Sequence, residues 1–158
     1  MKRNVLIVTS NKFESGGTMP VRYTCDGKNV NPPMTIKNLP EKAKSIAIIM
    51  EDKESDDYDA IHWLAYNIPA SGYINEDEKE CDTGLNGFNG KGYVGPCPSE
   101  DVQRYVFRVY ALDDYLYFGH DHVSRMDVEE GIRYHLVGYG ELGGKYQKDG
   151  KFDLVKIA

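Results

Sequence analysis

No apolar run in this chain approaches the roughly 18 residues of a membrane-spanning helix. Val5-Leu6-Ile7-Val8, after Lys2-Arg3, is also shorter than the roughly seven to fifteen apolar residues of a secretory signal. A soluble, cytoplasmic protein is expected, without integral membrane association. Positive charge is in deficit: 19 Lys and Arg stand against 25 Asp and Glu, for a net charge of -6. Nucleic acid and anionic lipid surfaces are drawn to basic patches, so neither is expected as an electrostatic partner. Cysteine is sparse, with Cys25, Cys81 and Cys97 forming no CxxC pair and an odd count. The sequence shows no internal repeat, low-complexity tract or linker. At 158 residues a chain can bury about two thirds of its unfolded surface without metal or disulfide staples. One domain over residues 1–158 is therefore expected.

What the sequence does contain is a series of short strand-like runs punctuated by turn residues. Val5 to Thr9 reads as an edge strand, followed by a Gly16-Gly17 loop and a segment around Tyr23 closed by Asp26-Gly27. Asn31-Pro32-Pro33 forces an extended or turning backbone. Ile46 to Met50 is apolar at every position and too short for a typical helix, which predicts a fully buried strand. Ile61 to Ile68, stopped by Pro69, supplies another, and the β-branched and aromatic run Tyr105 to Leu112 a third. Ser71 to Gly92 is acidic and then glycine-rich, and reads as a long surface loop. The one clear helix starts near Ser124 with a Ser-x-x-Asp cap ending at Asp127, and Val128, Ile132 and Leu136 follow at fourfold spacing. Glycines among aliphatic and aromatic residues from Leu136 to Tyr146 suit a final strand with tight bends. Many short strands with few helices predict a mainly β fold, an antiparallel β-sandwich.

Two segments concentrate polar chemistry and read as two walls of one small pocket. In the first, Glu51, Asp52, Glu54, Asp56, Asp57 and Asp59 precede the apolar-framed His62-Trp63. In the second, Gly95-Pro96-Cys97-Pro98 runs into Gln103-Arg104-Tyr105. A lone histidine at the head of an apolar strand is more often a hydrogen-bonded core residue than a ligand contact. A carboxylate at Asp52 or Glu54 changes its chemistry by favouring the imidazolium, which donates two hydrogen bonds and can grip a phosphate. The same carboxylate can accept from the ammonium of a zwitterion such as phosphoethanolamine. For Asp56, Asp57 and Asp59 a solvated loop is expected. Gly95 allows close backbone approach to a ligand, stiffened by proline on either side of Cys97. Arg104 is expected to pair with Asp52 or Glu54. His120-Asp121-His122 lies in a polar loop, and neither these residues nor His135 is expected to hold a metal. No cofactor is expected.

Several motifs in one order carry a family resemblance: Tyr23-Thr24-Cys25-Asp26-Gly27, Asn31-Pro32-Pro33, Ser45 to Met50, His62-Trp63, Asn67-Ile68-Pro69, Gly92 to Pro98 and Arg104-Tyr105. Over roughly residues 9 to 146 the chain resembles the phosphatidylethanolamine-binding protein family, nearest its bacterial and archaeal, Raf kinase inhibitor-like branch. The resemblance implies a β-sandwich with one or two short helices near the C-terminus. It implies a non-enzymatic module that binds a small anion, phosphate or a phosphorylated head group, and modulates a kinase or protease partner. The implied ligand-binding residues are Asp52, Glu54, His62, Gly95, Pro96, Gln103 and Tyr105, with no catalytic residue.

Two departures from the family pattern bear on the pocket. The family's Asp-Pro-Asp-x-Pro is here Asp52-Lys53-Glu54-Ser55-Asp56, so both prolines are absent and a looser mouth is expected. Gln103 stands where the family carries a second pocket histidine; it can donate an N–H but cannot carry charge. Two alternatives stay open. One is a hydrolase with His62 as base, Asp52 orienting it and Cys97 as nucleophile; the other is an interaction protein with a vestigial pocket. Three free thiols are expected of a cytosolic chain, with a Cys25 to Cys97 contact between two motif loops left open.

Overall fold

The computed structural model describes residues 3–97 and 101–147. In chain order its elements are β1 (Asn4–Val5), β2 (Ile7–Thr9), a 3-10 turn (Val21–Tyr23), β3 (Met34–Lys37), β4 (Ser45–Asp52), β5 (Ile61–Pro69), β6 (Tyr73–Ile74), β7 (Asp82–Thr83), β8 (Gln103–Leu112), α1 (Arg125–His135) and β9 (Leu136–Tyr146). One six-stranded sheet runs β1-β9-β8-β4-β5-β7, and a three-stranded sheet runs β2-β3-β6. Among these strands every pairing is antiparallel except β1 on β9. The fold is mainly β with one α-helix near the C-terminus, as expected.

The central strand β4 explains the layering. Ile46, Ile48 and Met50 face a core shared with Val8, Met34, Ile36 and Ile74 of the small sheet. Ala47 and Ile49 face a second core against Val128 and Ile132 of α1. Both faces of the large sheet are covered, so β4 carries a continuous apolar run rather than an alternating one. Each Ile, Val or Met side chain so taken from water contributes about 1.5–3 kcal/mol. The helix begins with a capping box: Ser124 Oγ accepts from the Asp127 N–H at 3.2 Å and Asp127 Oδ2 from the Ser124 N–H at 3.0 Å. Leu136, the third residue of the predicted helical repeat, is already the first residue of β9.

Several expectations are corrected. The single edge strand from Val5 to Thr9 divides between the two sheets, and Leu6 marks the crossing by donating its N–H to Tyr139 O at 2.8 Å. A Cβ at Gly140 would lie 2.4 Å from Leu6 O, so only glycine permits this crossing. The segment around Tyr23 takes the form of a 3-10 turn. The supposed surface loop from Ser71 to Gly92 carries β6 and β7 and buries Ile74 and Asn86; two-residue strands are too short to show periodicity. The expectation of three free thiols also fails. Cys25 and Cys97 form a disulfide with Cα atoms 5.3 Å apart, and Cys81 is the free cysteine.

Candidate functional site

His62 owes its orientation to a β-bulge. Between the pairs Met50–Trp63 and Glu51–Ile61 the register advances one residue in β4 and two in β5, leaving His62 as the extra residue. Residues two apart on a regular strand share a face, yet Trp63 lies in the inter-sheet core and Ile61 in the helix-side core. The bulge rotates the chain between them and re-aims the histidine. A second irregularity separates Tyr66 from Ile68 in the same way, at Asn67 with φ 58°. The Asn67 side chain pins Leu116, donating to its carbonyl at 2.7 Å and accepting from its N–H at 2.8 Å.

The His62 side chain is enclosed on several sides, and the residue is only 6% exposed. Its Nδ1 lies 2.7 Å from Val94 O. A carbonyl can only accept, so Nδ1 carries the proton of the neutral ring and Nε2 is left as its acceptor. The rings of Phe88 and Tyr105 stand edge-on, with centroids at 4.9 and 5.2 Å. Burial is the strongest influence on the imidazole and holds its pKa below the ordinary histidine value; Val94 O, Asp52 and the Gly95 backbone push upward without overcoming it. Asp52 therefore favours the imidazolium as expected, and desolvation, which the sequence does not show, outweighs the carboxylate.

The acid loop divides its labour. Asp52 ends β4 opposite Tyr105, and its Oδ1 accepts from the Glu54 N–H at 2.8 Å. Glu54 turns to Arg104, accepting at Oε1 from Nε at 2.8 Å and at Oε2 from the Arg104 N–H at 3.2 Å. The Arg104 hydrogen bond lowers the Glu54 pKa below the usual carboxylate value. Of the two acids proposed as Arg104 partners, Glu54 is the one that pairs. As placed, it braces the wall across β8 with both oxygens, whereas Asp52 lies beside the histidine face. Asp56, Asp57 and Asp59 are exposed.

On the opposite wall, Gly95 is buried and donates its N–H to Asn29 Oδ1 at 2.7 Å. A Cβ there would lie 2.1 Å from Tyr23 O, so the close approach that requires glycine is to the Tyr23–Thr24 backbone. Pro96 O accepts from the Cys25 N–H at 3.1 Å, and the Tyr93 hydroxyl donates to Tyr23 O at 2.7 Å. The Cys25–Cys97 disulfide closes the same seam. Pro98 lies outside the described residues. Gln103 opens β8, half-buried and on the face of Tyr105 and Phe107 by strand alternation.

The structure thus gathers Asp52, His62, Gly95 and Tyr105, and adds two residues that sequence reasoning missed. Val94 acts through its carbonyl, which no side-chain pattern reveals. Phe88 sits in the turn Gly87-Phe88-Asn89-Gly90, where an aromatic among glycines was the available signal. His120 lies 3.3 Å from Asp127 and its Nδ1 accepts from the His122 N–H at 3.2 Å, while His135 lies 2.9 Å from Asp113. Among the described residues no group of three or more His, Cys, Asp or Glu is placed to hold a metal ion. No helix among them is long and apolar enough to cross a membrane.

These elements define a mainly β, two-sheet sandwich with a bulge-borne histidine set between two motif loops. The family described as phosphatidylethanolamine-binding protein matches residues 9–147, and the chain belongs to this family. A UPF0098 protein of Archaeoglobus fulgidus is 37% identical over 150 residues, covering 90% of this chain and 51% of that protein, so the chain spans about half that relative's length. A UPF0098 protein of Methanothermobacter thermautotrophicus is 38% identical over 144 residues, covering 86% of this chain and 95% of that protein. The crystal structure of a phosphatidylethanolamine-binding protein homologue from Chlamydia trachomatis superposes with a TM-score of 0.83 at 32% identity, covering 92% of this chain and 99% of that one. The structure of Escherichia coli YbcL, described as a member of the mammalian family, gives 0.78 at 25% identity, with 90% and 98% covered.

Proposed function

We propose that this chain is a non-enzymatic binding module whose His62 pocket takes a small oxyanion, either free phosphate or the phosphate of a head group such as phosphoethanolamine. The observation that carries this reading is the fixed His62 ring: with Nδ1 committed to Val94 O, Nε2 is the nitrogen left to meet a ligand. In the neutral ring Nε2 accepts from a donor such as a phosphate monoester hydroxyl or an ammonium. After proton uptake it donates to an anion. Asp52 supplies an acceptor on the same side for a cationic head group, and Tyr105 and Gln103 extend the wall. Modulation of a kinase or protease is a further proposal supported by family membership alone.

The hydrolase reading finds less support. Its orienting bond is occupied by Val94 O rather than Asp52, and the sulfur of Cys97 is bonded to Cys25 and cannot act as a nucleophile while that bond stands. A cytoplasmic location and this disulfide make opposite demands on the redox environment. Titration with phosphate and with phosphoethanolamine, followed by NMR in the parent and in His62→Ala, tests the proposal. Saturable shifts at His62 that vanish in the variant support it; equal binding by both proteins overturns it, and no binding by either favours a vestigial pocket.

A further inference from the structure

Arg125 is the first residue of α1, directly after the N-cap Ser124, where the positive end of the helix dipole disfavours a cation. The side chain is nonetheless only 11% exposed and is bonded through Nη1 and Nε. Nη1 donates to Glu51 Oε2 at 2.9 Å and to Tyr58 O at 3.0 Å, and Nε donates to Glu129 Oε2 at 3.1 Å. The guanidinium also lies 4.4 Å over the Tyr58 ring, and the Tyr58 hydroxyl donates to Glu129. A residue that breaks a local rule with this many compensating contacts has a job in the tertiary structure.

Two paths lead from it to His62. Glu51 is the neighbour of Asp52 in β4, and it also binds Arg108, so one face of this dipeptide is gripped by arginines while the other borders the histidine. Tyr58 leads to Asp59 and Ala60, which pack tightly on the next turn: a Cβ at Gly87 would lie 2.6 Å from Ala60 Cα. Gly87 donates its N–H to Ile61 O at 2.8 Å, and the following residue, Phe88, is the ring set against His62.

We infer that Arg125 is a positioning residue for the His62 pocket, tying α1 to the acid loop and, through Asp59 and Ala60, to the Phe88 turn that flanks the histidine. Its contacts hold the two flanks of this proline-free loop, Glu51 before it and Tyr58 after it. The inference rests on the oxyanion reading above, and its test separates the two.

The whole chain, R125Q, R125K, Y58L and His62→Ala are titrated with sulfate by NMR, with hydrogen exchange measured over residues 53–60 and 86–90. R125Q should weaken sulfate binding by about threefold to thirtyfold and speed exchange in both segments. R125K should fail to restore binding, because an ammonium cannot reach Glu51, Glu129 and Tyr58 O at once as the guanidinium fork does. Y58L removes a partly exposed ring, keeps the fold testable if R125Q does not fold, and should shift both readouts the same way. Unchanged exchange over 86–90, or faster exchange with unchanged sulfate affinity, overturns the inference. If neither the parent nor His62→Ala binds sulfate, the oxyanion reading fails and Arg125 is judged on the ligand-free titration of the His62 ring. R125Q should then move its midpoint upward as water enters, and an unmoved midpoint overturns the positioning role.

Discussion

Replacing both Cys25 and Cys97 by serine tests the seam that holds one wall of the pocket. The two residues are 72 apart in sequence, and a cross-link of that span restricts the unfolded chain by about 4 kcal/mol in the loop-entropy relation. The native side should lose little, because the seam keeps the Cys25 N–H to Pro96 O, Gly95 N–H to Asn29 and Tyr93 hydroxyl to Tyr23 O bonds. With a urea dependence of about 2 kcal/mol per molar, the midpoint of unfolding should fall by about 2 M. Alkylation of the denatured parent without reductant should label Cys81 alone, the free cysteine, and reduction should expose Cys25 and Cys97 as well. Three thiols labelled before reduction, or a midpoint shift below about 0.5 M, would refute the reasoning. The first outcome would also restore the expectation of a reducing compartment.

Burial holds His62 below its ordinary pKa, so on acidification the unfolded chain takes up this proton first. The stability contributed by the neutral ring is present above the ordinary histidine value and lost as pH falls through the folded one; His62→Gln should flatten that part of the stability profile measured by denaturation. An oxyanion gripped by the imidazolium must draw a proton onto the ring. Sulfate, whose charge is constant over this range, should therefore bind more weakly as pH rises from about 5 to 8, with proton uptake seen by calorimetry in two buffers; a flat profile counts against His62 as the donor. Gln103→His should strengthen sulfate binding at mildly acidic pH by adding a second charge-assisted donor, and equal affinity in the two proteins would place residue 103 outside the site. Ile48 is fully buried in the inter-sheet core, so Ile48→Ala should cost about 2 to 5 kcal/mol, read from chemical denaturation.

The central strands and the helix were legible in the sequence because their signals are local. Ile46 to Met50 is apolar at every position, Tyr105 to Leu112 is built of β-branched and aromatic residues, and Ser124 with Asp127 spells a cap. The motif loops were legible too, since Gly95, Cys25 and His62 stand in recognisable company. What the sequence could not state were relations between distant segments: which of Asp52 and Glu54 meets Arg104, that Phe88 reaches His62, or that Leu6 passes over Gly140. The bulge at His62 depends on register between β4 and β5, which a one-residue shift alters without changing any local propensity. The balance of effects on the His62 proton was hidden for the same reason. A neighbouring carboxylate is visible in the chain as a nearby letter, whereas burial arises only when Phe88, Tyr105 and the Val94 backbone close around the ring, and in this fold desolvation is the larger effect.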